Sequence, residues 1–398
     1  LNWVSTVVTA STVTVEAGNG YWINTTSNAC TITLPASAEA GDNIVIVDFA
    51  RTWGTNSVEL DSNGLNFQGN SDVYEVKYTT NGQSVNLIYS DATQGWIPLE
   101  DDVVADEPVQ PPTQKAIFGY GKTSSDVSLT NLVNSSGVVA TDVTGVGTAR
   151  NNLAASSYGG DKAIFGYGRT NTQVSMTNLV NNSGVVATDV SGVGTARQSL
   201  AAASYGGDKA IFGYGTDSSL TNLVNNNGVV GSDVTGVGTA RNDLAAASFG
   251  GDKAIFGYGY YYSGGVVTYS LTNLVSNTGV VAADVTGVGT ARYLLAAAGY
   301  GGDKAIFGFG TTGSVTGLTN LVSNTGVVAA NVSAVGTARK GLAAAGYGGD
   351  KAIFGYGTTG SLTAITNLVN SSGVVASDVS GVGTAREKLA AAGFSYSA

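Results

Sequence analysis

The string KAIFG, followed by an aromatic residue and a further glycine, occurs six times, with its lysine at positions 115, 162, 209, 253, 304 and 351. The spacings are 47, 47, 44, 51 and 47 residues. Self-similarity at such a period commits a chain to a repeat architecture, because one unit cannot bury its own apolar face without neighbours. Each unit reads KAIFG-aromatic-Gly, a variable loop, TNLV, an Asn/Ser-rich turn, GVVAxDVxGVGTAR, two variable residues, and an Ala-rich segment before Gly-Gly-Asp. KAIF and TNLV are rich in branched and aromatic residues, and VVATDV alternates, so these segments predict strands. The Ala-rich piece, residues 200–204 in the second copy, is too short for a stable helix. The Gly-Gly-Asp after it supplies the positive φ that a hairpin turn needs.

Four short strands per unit and a period near 47 predict one propeller blade per copy, hence six blades. Small side chains belong on the strand nearest a crowded axis, which assigns the Ala-rich segment there. The first copy starts at Lys115 with no Ala-rich segment before it, whereas residues 389–397 form one with no KAIFG after it. The expectation is closure by that segment, as the innermost strand of the first blade beside residues 115–121.

The order of Arg, two variable residues, strand, turn, strand, Gly-aromatic-Gly, loop, strand, turn, strand and Arg resembles the kelch repeat over residues 115–398. The matching arginines are Arg150, Arg197, Arg241, Arg292, Arg339 and Arg386. The tryptophan usual on a kelch outer strand is missing, since Trp3, Trp22, Trp53 and Trp96 all lie outside the repeats. The resemblance implies a rigid disc whose loop face binds partners.

The copies vary in two places. The loop after Gly-aromatic-Gly runs from TDSS in the third copy to YYYSGGVVTYS in the fourth, and the pair after each Arg reads NN, QS, ND, YL, KG and EK. In an antiparallel blade both places fall on one face, which makes that face the candidate recognition surface. Its richest patch is Tyr260, Tyr261, Tyr262, Tyr269 and Tyr293. A tyrosine offers a flat apolar ring with a polar tip, suited to stacking on sugar or packing on protein. The repeated arginines, occurring once per copy, read as structural charges that hold blades together. A weaker alternative is a ring of guanidinium groups that gathers an anion.

Composition removes other chemistry. The 398 residues include no His and one Cys, Cys30, which excludes the common His- and Cys-ligated metal sites, Ser-His-Asp catalysis and an internal disulfide. Cys30 sits among alternating apolar residues and is read as core. The acids not shared between copies, Asp126, Asp217, Asp243 and Glu387, are scattered along the repeats, so a paired-carboxylate enzyme is not expected. No metal and no cofactor are expected. The net charge of −10 resolves into −12 over residues 1–114 and +2 over residues 115–398. Without a basic stripe nucleic-acid binding is not expected, and without an apolar run of about 18 residues neither is membrane insertion. The chain opens at Leu1 with no basic-then-apolar leader.

Residues 1–100 alternate in short stretches such as TVTVEAG, ACTITLPA and DNIVIVDFA, predicting a β-sandwich or jelly-roll-like module of seven or eight strands. Residues 101–114, acidic and then Pro-rich, read as an extended spacer. The string GYWINTTSNACTITLPASAEAGDNIVIVDFARTW, with NGLNFQG and LIYSDATQGW, makes residues 15–97 resemble modules of tailed-bacteriophage structural proteins, particularly tail fibres. That resemblance implies a virion-surface, extracellular protein attached to other virion proteins through its N-terminal module. It also implies trimers, as in many fibres. The combined expectation is an all-β, non-enzymatic chain: an N-terminal module and a six-bladed kelch-like propeller that binds a host-surface glycan or protein. The alternatives are a purely structural virion decoration and a bacterial secreted adhesin or lectin.

Overall fold

A computed structural model describes residues 1–71, 76–99, 113–333 and 335–396. The fold is all-β, with strands and no helix among the described residues. Contacts divide the chain into two compact units, residues 1–111 and 112–398. The spacer read over residues 101–114 lies, up to residue 112, outside the described residues.

In the first unit the chain alternates between two sheets that share one core. One sheet orders Asn2–Trp3, Asn19–Ile23, Asn43–Asp48, Ser84–Tyr89 and Trp96–Pro98; the other orders Thr12–Thr14, Cys30–Thr33, Val58–Asp61 and Val76–Tyr78. Alternation buries every second side chain, including Ile23, Ile32, Ile44, Ile46 and Leu87, around Trp53 and Trp96. Cys30 is buried there, and desolvation pushes its thiol above the ordinary value. The jelly-roll expectation is corrected in direction. Because the chain crosses to the other sheet after each early strand, the first three strands of each sheet run parallel, and only the later pairs are antiparallel.

Among its described residues the second unit contains six three-stranded antiparallel sheets, each ordered Ala-rich, KAIFG, TNLV. In the second of them Ala154–Tyr158 pairs with Lys162–Gly166, which pairs with Thr177–Val180. The KAIFG strand is central, so Ala163, Ile164 and Phe165 are all fully buried. The first sheet is completed from far along the chain: Ala390–Phe394 pairs with Lys115–Gly119, Phe394 opposite Lys115 and Ala390 opposite Gly119. Each Ala-rich strand touches the next one in the series, and Ala390–Phe394 touches Ala154–Tyr158.

The fourth predicted strand is not a regular strand. GVVAxDV meets its neighbour at two isolated bridges, Val139 with Val133 and Val143 with Thr130, so it carries one residue more than the stretch it opposes. The buried Asn131 fills that bulge, its Nδ2 donating to the Ala140 carbonyl at 3.0 Å and to Asp142 Oδ1 at 2.9 Å.

Neighbouring sheets interlock at the glycine that ends KAIFG. The Phe165 ring lies against Gly119, where an added Cβ would meet Cζ at 2.6 Å, and the pattern continues copy by copy until Phe118 fills the space at Gly355. Antiparallel pairing puts the Asn/Ser turn of every sheet, and the Gly-Gly-Asp turn of the five sheets that have one, at the same end. The variable loop and the pair after Arg lie at the other end. The chain enters this unit at the turn end, where Gln114 N donates to the Ser395 carbonyl and Gly348 N donates to that of Gln114.

Candidate functional site

All six repeated arginines are 0% exposed. Arg150 Nε donates to the Tyr167 carbonyl at 2.9 Å, Nη1 to the Thr148 carbonyl at 3.1 Å and Nη2 to Asn178 Oδ1 at 2.8 Å. Its guanidinium also lies over the Tyr120 ring, 4.3 Å from the centroid. Tyr120 belongs to the first copy, Tyr167 and Asn178 to the second, so one side chain pins two copies. Arg386 repeats this across the closure, donating from Nε to the Tyr120 carbonyl and from Nη2 to Asn131 Oδ1. Desolvation pulls the guanidinium groups of Arg150, Arg241, Arg292, Arg339 and Arg386 below their ordinary pKa, that of Arg339 to about 10. Such groups offer no open face to an outside anion, so the anion-gathering alternative is set aside.

The acid of VVAxDV works beside them. Asp189 accepts the Thr148 amide and its Oγ1, the latter at 2.6 Å, and Asp142 accepts the same two groups of Thr384. Burial alone would raise the Asp142 carboxyl; the hydrogen bonds of Thr384 and Asn131 and the nearby Arg386 outweigh it and hold the group below its ordinary value. In the fifth copy Asn331 takes the acid's place, accepting from the Thr290 amide and donating from Nδ2 to its Oγ1.

At the variable end, Tyr260–Tyr262 pairs with Val266–Thr268 as a hairpin. Tyr262 at its tip is 60% exposed, and Val266 and Val267 are exposed beside it. Tyr260 packs on Tyr293, centroids 4.9 Å apart and planes at 59°. Desolvation, together with Asp243, Asp217 and Tyr293, pushes the Tyr260 hydroxyl up to about 12. Tyr261 and Tyr269 are half-buried, and Tyr269 lies within electrostatic reach of Arg241. The five tyrosines thus divide: Tyr260 and Tyr293 form a fixed pair, Tyr262 projects, and the other two support the hairpin.

The second residue after each Arg builds a feature that the sequence reading did not find. Ser199 N donates to the Asn152 carbonyl, Asp243 N to Ser199, Leu294 N to Asp243, Gly341 N to Leu294, Lys388 N to Gly341 and Asn152 N to Lys388. These six bonds, of 2.7 to 3.0 Å, close into a cycle. Every member has positive φ, between 48° and 62°. The cycle forms a collar of six side-chain positions: amide, hydroxyl, carboxylate, isobutyl, hydrogen and ammonium. Asp243 and Lys388 stand three places apart and so face each other across it. No N–O contact under 4 Å joins them among the described residues. Burial raises the Asp243 carboxyl, with the Ser199 side chain and the charge of Lys388 pulling the other way. Asp217, bonded at 2.6 Å by Asn242 Nδ2, and Asp243 both act on Tyr260, so two of the acids read as scattered are gathered beside the tyrosine pair. Asp126 instead accepts from Asn151 Nδ2, and Glu387 reaches the neighbourhood of Gly341.

No protein-family model matches this chain, and none of the curated proteins matches it.

Proposed function

We propose that residues 115–398 form a six-bladed kelch-like β-propeller, closed by its C-terminal innermost strand, in a non-enzymatic virion-surface or tail-fibre protein of a bacteriophage. Its variable end binds a ligand on the host surface, and a glycan fits best. The observation that carries this reading is the collection of everything asymmetric at one end of a near-symmetric unit: the Tyr hairpin, the Tyr260–Tyr293 pair and the collar. The chain enters the unit at Gln114, at the other end. The cyclic succession of Ala-rich strands supports the propeller, and the resemblance of residues 15–97 supports the virion setting, with the N-terminal module meeting other virion proteins.

Adherence of the fluorescently labelled chain to candidate host cells tests the reading, with Tyr260, Tyr261 and Tyr262 changed together to Ala. Loss of adherence in the variant is expected. Wild-type chain that adheres to no cells but co-purifies with particles refutes it in favour of a structural decoration. That second reading is favoured by one observation, the exposed valines repeated in the copies, such as Val138, Val185, Val229, Val280, Val327 and Val374, which offer the same lateral contact six times.

A further inference from the structure

The collar holds residues in a conformation that the backbone does not reward. For a residue with a Cβ the left-handed region costs roughly 1–2 kcal/mol, least for Asn and Asp. Gly341 shows that glycine fits the position, yet Ser199, Leu294 and Lys388 occupy it in other copies. Closing the cycle requires only backbone groups, so the fold does not explain these side chains. Strain kept where the fold permits its relief points to a function.

The chemistry of the six positions narrows the ligand. Asp243 accepts, Lys388 donates, and Asn152 and Ser199 do both. A group that donates to a carboxylate and also accepts from an ammonium or amide is a hydroxyl. Within the collar Asp243 and Lys388 offset each other, while Asp217 and Glu387 lie beside it, so an anionic ligand is disfavoured. Leu294 occupies the next sector, and the Tyr260–Tyr293 pair lies within electrostatic reach of Asp243, offering an apolar ring face beside the polar one.

We propose that the collar seats one neutral sugar residue, its vicinal hydroxyls held by Asp243 and Ser199 on one side and Lys388 and Asn152 on the other, with one face against the Tyr260–Tyr293 pair. The assignment rests on the glycan reading above and specifies the terminal residue of that glycan. The test titrates the full chain with methyl glycosides of glucose, galactose, mannose and N-acetylglucosamine, read by saturation-transfer NMR, with glycine as a zwitterionic probe. At least one glycoside is expected to bind. Asp243→Asn, which tolerates the same φ, should weaken it tenfold or more; Lys388→Gln should do so independently, and Val185→Ser, on the outer segment, by less than twofold. Thermal unfolding of each variant checks that it is folded. Wild-type chain that binds no glycoside, binding unchanged in both collar variants, or binding of glycine in preference to the sugars overturns the proposal. Cells bound by a chain that ignores every monosaccharide would sink the collar assignment alone; failure to adhere at all would sink the reading beneath it.

Discussion

Replacing Phe394 by Ala tests the closure most directly. Phe394 is almost fully buried, as is Phe249, which holds the same position in the fourth sheet. Burying Leu389, three alanines and Phe394 contributes roughly 7 kcal/mol of apolar transfer. Phe394→Ala should cost about 3–5 kcal/mol, the lost transfer of the ring plus the cavity left behind. Ala245–Phe249 is held by chain on both sides, so it cannot leave without wider unfolding. Ala390–Phe394 has no hairpin turn to the strand it pairs with, Lys115–Gly119. The loss should therefore appear as local opening of the first sheet. At about 1.4 kcal/mol per factor of ten, amide exchange in residues 113–119 should accelerate at least a hundredfold, read by hydrogen-exchange mass spectrometry. Phe249→Ala should lower the melting temperature without that selective effect. Equal exchange at residues 113–119 in the two variants would refute the argument that closure is the weak seam.

Three further outcomes follow from the packing. Gly213→Ala should lower stability by about 1–3 kcal/mol through overpacking, since its Cβ would meet Phe256 Cζ at 2.7 Å; an unchanged melting curve would show that the neighbouring sheet yields freely. Leu294→Gly should raise the melting temperature, because it relieves a left-handed residue with a Cβ, and a fall would mean that the isobutyl packing outweighs the backbone. Asp142, Asp189, Asp233, Asp284 and Asp378 all titrate below the ordinary carboxylate value when folded. Their contribution is therefore present above the unfolded pKa of about 3.9 and lost as pH falls through the lower folded values. Stability should drop steeply below about pH 4, and Asp378→Asn, which copies the arrangement at Asn331, should flatten that drop in acid titrations followed by circular dichroism.

Three features of the repeats were legible because six copies vouch for one another: the central KAIFG strand, the Gly-Gly-Asp hairpin and the pairing of residues 390–394 with residues 115–119. The outer segment was misread because VVATDV alternates like a strand, while the bulge depends on Asn131 and Asp142 meeting from separate segments. Strand direction in the first unit was equally hidden, since alternation reports which face is buried and says nothing of where the chain has come from. At the site, the sequence singled out the tyrosines and the variable pair after each Arg. It did not separate the two members of that pair. Only the assembled repeats join the second members into a hydrogen-bonded cycle, and no glycine marks its positive φ in five of the six copies. Spacing along the chain also made Asp217 and Asp243 look remote from Tyr260, although the fold joins them.

The interlock between copies has a consequence for how the chain reaches its native state. Lys115 waits for Phe394, and five other Ala-rich strands of nearly the same sequence are available sooner. Nothing in those strands encodes which is the right partner, because each was built to fit a KAIFG strand equally well. Selection falls to connectivity: each of the other five is already joined by a three-residue turn to its own KAIFG strand, and a nearby hairpin forms faster than a distant pairing. Gly-Gly-Asp turns that close quickly thus act as proofreaders of strand pairing. Lengthening one of them should release its Ala-rich strand to compete for Lys115–Gly119 and yield chains with a copy left out of the pairing or chains joined in pairs.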